Sequence, residues 1–218
     1  AYIKRYVNPD DGVLGVNISK NKVTPNEEAR MDYLACMRAA WEVADYIAIN
    51  FSCPNIPNLC NLAKAAPAAD LLAALKSEQA NLASDTGRYV PVVMKVSPDM
   101  EEAQIHELAQ VFIDSQLDGL ICSNTSTTRF GVEHHPAAAQ SGGLSGAPLY
   151  NRANETLEAF AKEFNGSIPI IGVGGIMSAD DAVKKIQAGA SLVQLYSGFI
   201  YNGPRLIHDC AKAIREIK

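Results

Sequence analysis

The stretch Asp45-Tyr46-Ile47-Ala48-Ile49-Asn50-Phe51-Ser52-Cys53-Pro54-Asn55 joins an apolar run to a polar turn. Its first half has the length and apolar character of a buried β-strand. Pro54 ends strand pairing, so the chain leaves the strand there. The turn at residues 50–55 carries the amides of Asn50 and Asn55, the hydroxyl of Ser52 and the thiol of Cys53. Such turns are ordinary at strand ends. Alternatively, the amides could hold a planar polar ligand and the thiol could act as a base.

The same pattern repeats along the chain. Short apolar runs occupy residues 13–18, 46–51, 90–96, 117–123, 168–176 and 191–198, and amphipathic segments separate them. Buried strands that alternate with helices indicate βα units and a parallel sheet. Polar or glycine-rich groups follow nearly every strand, which favours a barrel, because a barrel brings all strand ends to one face.

The predicted fold is therefore an α/β protein of the (β/α)8 TIM-barrel type, with six of the eight βα units present. We expect residues 1–218 to form a single barrel domain that lacks the amino-terminal strands, as the carboxyl-terminal part of a larger protein. Capping boxes are predicted at Thr24–Glu27 and Asp99–Glu102, and a helix end at Asn165-Gly166.

Composition excludes several classes of protein. The chain has 218 residues, 48% of them hydrophobic, and a net charge of -5, which argues against a nucleic-acid-binding protein. No apolar run approaches the length of a membrane span. Five cysteines without CxxC spacing indicate reduced thiols. His134 and His135 are adjacent in a predicted loop, so a solvated loop is favoured over a metal site.

Two glycine-rich turns close the last two predicted strands, at Gly172-Val173-Gly174-Gly175 and Leu195-Tyr196-Ser197-Gly198. If the first two strands are the missing ones, these turns follow strands seven and eight, where TIM barrels usually bind phosphate. Glycine lets backbone N–H groups approach the phosphate, and a following helix adds its dipole. The alternative is that the glycines only permit tight turns.

Polar residues also mark other strand ends. Lys95 interrupts an apolar strand and is expected to meet an anion or an electron-rich ring, unless it extends to solvent from the barrel rim. Asn17, Asn50 and Asn124 each follow a different strand. Their convergence on one face would suit a planar polar ligand.

Together these motifs resemble the dihydroorotate dehydrogenase family, the FMN enzymes of pyrimidine synthesis. The resemblance covers essentially the whole chain. It rests on residues 15–18, 50–55, Lys95, 123–125, 142–146, 172–176 and 196–198.

The resemblance implies roles for particular residues. Cys53 matches the catalytic base, which removes a proton from C5 of dihydroorotate while a hydride passes from C6 to the flavin, giving orotate. The residues that match the pyrimidine site are Asn50, Asn55, Asn124 and Thr125. Those that match FMN contacts are Asn17, Asn50, Lys95, Ser123 and Gly146, with Gly174, Gly175, Tyr196 and Ser197 at the phosphate.

The body of the chain is most similar to the quinone-linked class, which implies a quinone as electron acceptor. That class contacts the membrane through an amino-terminal region, at the cytoplasmic side of the inner membrane in bacteria. It normally has serine as base, whereas Cys53 is typical of the soluble cytoplasmic classes, which use fumarate or NAD. The electron acceptor therefore stays open between these classes.

Two alternatives stay open beside this resemblance. One is another FMN- or phosphate-binding barrel enzyme, of the dihydropyrimidine or dihydrouridine reductase type. The other is a non-catalytic barrel fragment that needs a partner to cover its sheet edges.

Overall fold

The computed structural model describes residues 12–52 and 59–217. These residues form one parallel sheet in which the strands follow the order of the chain. The strands are β1 (Gly15–Ile18), β2 (Tyr46–Asn50), β3 (Val92–Val96), β4 (Gly119–Cys122), β5 (Ile170–Val173) and β6 (Leu192–Gln194). Parallel neighbours in sequential order are the topology of a (β/α)8 barrel. The predicted partial barrel is confirmed.

Helices connect the strands and cover the outer face of the sheet. They are α1 (Ala29–Trp41), α2 (Ala65–Thr86), α3 (Glu102–Asp114), α4 (Tyr150–Phe164), α5 (Ala179–Gln187), α6 (Ser197–Asn202) and α7 (Arg205–Ile217). Single 3-10 turns precede three of them, at Asn26–Glu28, Leu59–Ala63 and Ala147–Leu149. The sequence did not predict α6, since six residues are too few for a helical period to show.

Both faces of the sheet are buried, but in different clusters. Ala48, Val93, Ile121 and Val173 form a small apolar cluster on the inner face. Their strand neighbours, such as Ile47 and Ile49 in β2, belong to the main core between the sheet and the helices. Because successive side chains of a strand point to opposite faces, this two-sided burial explains why the strands are continuous apolar runs rather than alternating ones.

The helices bury the stripes that their sequences predict. In α2 the buried side chains include Leu71, Leu72 and Leu75. In α3 they are Ile105, Leu108, Ala109 and Phe112, and Phe112 stacks on Phe160 of α4. Burying each of the leucine, isoleucine and phenylalanine side chains contributes about 1.5–3 kcal/mol of transfer free energy.

Neither capping box forms at the residues predicted for it. Thr24 does not cap a helix: a 3-10 turn begins after Pro25, and the Thr24 carbonyl instead accepts a hydrogen bond from Lys20 Nζ at 2.6 Å. Asp99 also lies outside the helix, because α3 is capped by Glu101, whose N–H donates to the Gln104 side chain at 3.1 Å. The predicted helix end at Asn165 is confirmed, with φ at 45°.

A polar cluster closes the amino ends of β3 and β4. The Asp118 carboxylate accepts hydrogen bonds from Gln79 Nε2 at 2.7 Å, from the Val92 N–H at 2.8 Å and from the Tyr89 hydroxyl. Lys76 Nζ lies 3.3 Å away. Burial alone would raise the pKa of the Asp118 carboxyl, but these donors hold that pKa below its ordinary value. The cluster ties α2 to the sheet at the end opposite to the polar strand ends.

Candidate active site

The carboxyl ends of the six strands surround one cleft of about 290 Å³. Its polar lining comes from the ends of β1 to β4, and its glycine turns come from β5 and β6. The polar and glycine residues that line it are Asn17, Asn50, Lys95, Ser123, Asn124, Thr125, Ser145, Gly146, Gly174, Gly175, Gln194, Tyr196, Ser197 and Gly198. Leu149, Val173, Ile176 and Leu195 add apolar surface. A concave cleft in which several polar groups converge beside apolar surface is typical of a small-molecule site.

One wall of the cleft is a network of amides. Asn124 Nδ2 donates to Asn50 Oδ1 at 3.0 Å and lies 3.3 Å from Ser52 Oγ. Asn124 Oδ1 accepts from the Thr125 N–H at 2.9 Å. Each amide is therefore oriented by its neighbours, which leaves its remaining donors and acceptors available to a ligand.

The strands hold this wall in place through the backbone. The Tyr33 hydroxyl of α1, which is fully buried, donates to the Asn50 carbonyl at 2.8 Å. Ser52 Oγ donates to the Lys95 carbonyl at 2.7 Å. The Asn124 N–H donates to the Val96 carbonyl at 2.7 Å. The ends of β2, β3 and β4 are thus joined where their side chains enter the cleft.

The opposite wall is built from glycines that no other residue can replace without strain. Gly174 and Gly175 have φ of 108° and 75°, in the left-handed region that favours glycine. A Cβ at Gly175 would overlap the Cα of Tyr150, and a Cβ at Gly174 would lie 2.9 Å from the Cβ of Ala153. The turn therefore packs directly on the start of α4.

Two hydroxyls and a third glycine complete this wall. Ser197 Oγ donates to Ser145 Oγ at 3.0 Å, which joins the start of α6 to the loop before α4. Gly146, with φ of 80°, lies beside Ser197. Backbone N–H groups and hydroxyls are the usual donors to a phosphate. This set of donors fits a ligand with a phosphate at one end and a planar polar group at the other.

The structure brings together nearly all the residues that the sequence singles out. Every predicted FMN contact lines the cleft, as do Asn124 and Thr125 of the predicted pyrimidine site. Cys53 and Asn55 lie outside the described residues. His134 and His135 are exposed in the loop before α4, and His106 pairs with Glu163 at 2.9 Å on the outer surface.

Two lining residues with polar side chains were not predicted from the sequence, Ser145 and Gln194. Ser145 lies in the motif Gly142–Gly146, in which only Gly146 was predicted to contact a ligand. Gln194 is a polar residue within an apolar strand, so the criterion that singled out Lys95 would also have found it. Its Oε1 is buried and has no hydrogen-bond partner among the described residues. An unpaired buried acceptor calls for a donor, which a ligand in the cleft could supply.

A lysine lies behind the glycine wall. Lys185 of α5 is fully buried, and its Nζ stands 5.5 Å from the centre of the Tyr150 ring. Burial lowers the pKa of its ammonium group to about 8. The neighbouring Cys122 is also fully buried, and burial raises the pKa of its thiol to about 12.

No group of three or more His, Cys, Asp or Glu side chains in residues 12–52 and 59–217 is placed to hold a metal ion. Across the same ranges, no helix has both the length and the apolar character that crossing a membrane requires.

Fold and cleft together define a parallel α/β barrel with a ligand site at the carboxyl ends of its strands. Comparison with known proteins is more specific. The chain belongs to the dihydroorotate dehydrogenase family, whose model matches residues 2–217.

Relatives of this family support the assignment. A dihydroorotate dehydrogenase (quinone) of Akkermansia muciniphila is 63% identical over 204 residues, which are 94% of this chain and 59% of the relative. The dihydroorotate dehydrogenase (quinone) of Chromobacterium violaceum is 50% identical over 93% of this chain and 59% of its own length. The chain thus spans about three-fifths of the length of these curated relatives.

Solved structures agree with the fold. Ligand-free DHODH from Eimeria tenella superposes with a TM-score of 0.86 at 34% identity, covering 94% of this chain and 59% of that one. A crystal structure of the DHODH from the same organism in complex with ferulenol gives the same TM-score at 32% identity, covering 94% and 58%.

Proposed function

We propose that this protein oxidises dihydroorotate to orotate in pyrimidine synthesis, with FMN as cofactor and a quinone as electron acceptor. One observation carries the proposal: a single cleft gathers the amides of Asn50 and Asn124 on one wall and the turn at Gly174 and Gly175 on the other. Membership of the dihydroorotate dehydrogenase family supports the proposed reaction.

The donors of the cleft suit the two ends of FMN. The N–H groups of Gly174, Gly175 and Ser197, with the hydroxyls of Ser197 and Tyr196, would hold the phosphate. Asn17, Asn50, Lys95, Ser123 and Gly146 would contact the rest of the cofactor. When bound, FMN would supply the acceptor for the hydride that leaves C6 of the substrate. The apolar side chains of Val173 and Leu195 would exclude water from this part of the site.

Asn50, Asn55, Asn124 and Thr125 are proposed to hold the pyrimidine. The hydrogen bond between the Asn50 and Asn124 side chains orients both amides before a substrate arrives. Such preorganisation reduces the entropy that binding would cost. A pyrimidine ring presents donors and acceptors in one plane, which amide side chains can match.

Cys53 is proposed as the base that removes the C5 proton. A free thiol titrates near pH 8.5, far closer to neutrality than an alcohol does. A thiolate can therefore be populated at neutral pH with a modest lowering of the pKa.

The proposed quinone acceptor rests on two relatives, both dihydroorotate dehydrogenases (quinone), which are 63% and 50% identical to this chain. Because quinones with long tails dissolve in membranes, we propose a peripheral membrane contact, made by sequence outside the described residues. Cell fractionation tests the contact: recovery in the membrane pellet and release by high salt or mild detergent supports it, and recovery in the supernatant contradicts it.

We further propose that residues 1–218 belong to one FMN-binding barrel domain, with two further βα units closing the cylinder in the native protein. Leu192 of the edge strand β6 is 62% exposed, and Ile200 and Tyr201 of α6 are 65% and 78% exposed. In most proteins another strand, helix or loop covers a sheet edge and the apolar side chains beside it.

The test uses the protein expressed from its native reading frame. It should purify with bound FMN and reduce a short-chain ubiquinone when dihydroorotate is added. Dihydrouracil and dihydrouridine serve as competing substrates, and fumarate and NAD as competing acceptors. Turnover of dihydrouracil or dihydrouridine without turnover of dihydroorotate would refute the proposed substrate. Preference for fumarate or NAD would refute the quinone.

A further inference from the structure

The loop between β4 and α4 forms parts of both walls of the cleft. Asn124 and Thr125 lie at its start, and Ser145 and Gly146 lie near its end. The two limbs pair in an antiparallel bridge, since the Leu144 N–H donates to the Ser126 carbonyl at 2.7 Å and the Ser126 N–H donates back at 3.0 Å. The spacing of the two walls therefore depends on how this loop is folded.

Arg129 joins the limbs. Its guanidinium donates five hydrogen bonds, all to carbonyls of the loop. They run from Nη1 to Thr127 at 3.0 Å and Thr128 at 3.1 Å, from Nε to Ala138 at 3.0 Å, and from Nη2 to Gln140 at 2.7 Å and Gly142 at 2.8 Å. The first two acceptors are on the outgoing limb and the other three on the returning limb. A guanidinium has five N–H donors in a fixed fork, and each of them is used here.

Asp99 fixes the outgoing limb to the preceding strand. Its carboxylate accepts from Ser126 Oγ at 2.6 Å, and from the N–H and Oγ1 of Thr127 at 2.6 and 2.7 Å. Asp99 follows β3, the strand that carries Lys95. The returning limb has no comparable anchor to β3 among the described residues. It is held by Arg129, by the pairing with Ser126 and, near its end, by the hydrogen bond from Ser197 Oγ to Ser145 Oγ.

We propose that Arg129 is a positioning residue for dihydroorotate oxidation. By tying the returning limb to the limb that Asp99 anchors, it sets the distance between the wall at Asn124 and Thr125 and the wall at Ser145 and Gly146. This inference rests on the proposed function. Arg129 is not among the described residues that line the cleft, so it acts through the loop and does not touch the ligand.

Lysine cannot take over this role. An ammonium group has three donors on a compact charge, whereas the fork of arginine reaches several acceptors in one plane. The effect therefore depends on geometry and not on charge alone. Misplacement of a binding group by about 1 Å can lower an enzyme's rate on the order of a hundredfold.

The first test compares R129K and R129Q in the full-length, FMN-loaded protein. Both variants should raise KM for dihydroorotate and Kd for orotate at least about tenfold. The ratio of flavin to protein should fall less than the affinity for orotate, because Gly146 moves with the loop whereas the turn at Gly174 and Gly175 follows β5. Arg38→Gln is the matched control, since Arg38 pairs only with Glu78 on the far surface in the described structure, and it should leave KM unchanged. Wild-type KM in R129K or R129Q would overturn the proposal.

The second test does not depend on the substrate. Hydrogen exchange at the Ser126 and Leu144 amides should become at least about tenfold faster in R129Q, because opening the loop breaks their mutual pairing. Unchanged exchange would overturn the role of Arg129 whatever the enzyme oxidises. If exchange accelerates but the wild-type protein does not oxidise dihydroorotate, the loop assignment stands and the proposed substrate fails.

Discussion

Asn124 Nδ2 lies 3.0 Å from Asn50 Oδ1, so the ends of β4 and β2 are joined by side chains across the intervening β3. The contact orients two amides toward the same cleft, although the residues are far apart in the sequence. It also links Asn50, a proposed contact of both FMN and pyrimidine, to a residue that is proposed to contact the pyrimidine alone. The two side chains should therefore act as a pair.

The first prediction is that Asn50 and Asn124 are energetically coupled. Asn50→Ala and Asn124→Ala should each lower kcat/KM for dihydroorotate by about ten- to a hundredfold, since each leaves polar groups of the site unpaired. The double variant should lose less than the sum, with a coupling free energy of about 0.5–3 kcal/mol in a double-mutant cycle. Asn81→Ala, an exposed position on α2, is the control. Additive losses would show that the hydrogen bond does not matter to binding.

The second prediction concerns the proposed base. Cys53→Ala should lower kcat at least about a hundredfold with little change in Kd for orotate, which is the scale of a general base. Wild-type activity should fall as pH decreases, because the thiolate must be present. Cys53→Ser should move this fall to higher pH, since an alcohol is much less acidic than a thiol. Cys36→Ala provides the control. Normal turnover by Cys53→Ala would remove Cys53 from the mechanism.

The third prediction separates steric from conformational effects at glycine. Gly175 and Gly166 both have positive φ, at 75° and 83°. A Cβ would overlap Tyr150 at Gly175 but meets nothing within 4 Å at Gly166. Both alanine variants should lose about 1–2 kcal/mol from left-handed strain. Gly175→Ala alone should also lose bound FMN, measured as the ratio of flavin to protein. Equal flavin content in the two variants would contradict a phosphate site at this turn.

The barrel and most of the cleft can be predicted from the sequence because both depend on the hydrophobic pattern of each βα unit, which does not require knowledge of long-range contacts. Apolar runs that alternate with amphipathic segments define βα units, and parallel strands bring residues such as Asn17, Lys95 and Gly174 to one face. The sequence predicts that Asn50 and Asn124 lie on the same face of the barrel, but not that their side chains are hydrogen-bonded. No spacing in the sequence specifies which amide donates to which.

The features that were predicted wrongly or not at all depend on contacts between residues that are distant in the sequence. Asp99 resembles a helix cap, yet its carboxylate binds Ser126 and Thr127, because two hydroxyls and an N–H compete successfully with the local N–H groups. Lys184 and Lys185 are adjacent on one helix and look alike, but Lys184 pairs with Asp180 at the surface while Lys185 is fully buried.

The fourth prediction addresses the Asp118 cluster. Asp118→Ala should lower the free energy of unfolding by about 2–3 kcal/mol, because it leaves the Val92 N–H and one of the two Gln79 Nε2 hydrogens unpaired. The folded-state pKa of Asp118 is lowered, so its stabilisation is present above the unfolded value near pH 4 and is lost as pH falls through the lower folded value. Urea unfolding at pH 7 and pH 3 tests this, with Asp70→Ala on the exposed face of α2 as control. An equal difference between wild type and Asp118→Ala at both pH values would contradict the cluster's ionised state.

The fifth prediction is that Lys185→Met stabilises the fold at pH 7. The wild-type ammonium is buried without a hydrogen-bond partner among the described residues, and its pKa is lowered from 10.5 to about 8. The unfolded chain therefore binds more protons than the folded one between those values, so stability rises as pH increases from about 8 to about 10.5. Below pH 8 the full penalty remains, about 3 kcal/mol at 1.36 kcal/mol per pKa unit. Methionine fills a similar volume without the charge.

Cys122 changes the pH dependence of stability in the opposite direction, over a pH range that overlaps that of Lys185. Its thiol pKa is raised to about 12 from an ordinary value of 9.0, so the unfolded chain loses this proton first and stability falls above about pH 9. Below about pH 9 the thiol is protonated in the folded and the unfolded chain, so the difference between the Lys185→Met and wild-type profiles there reports the lysine. Above that pH the difference also contains the interaction between Lys185 and Cys122, because each charge shifts the pKa of the other group. Urea unfolding from pH 7 to pH 10.5 should show the two proteins converging as pH rises. A constant difference would mean that burial does not lower the pKa of Lys185.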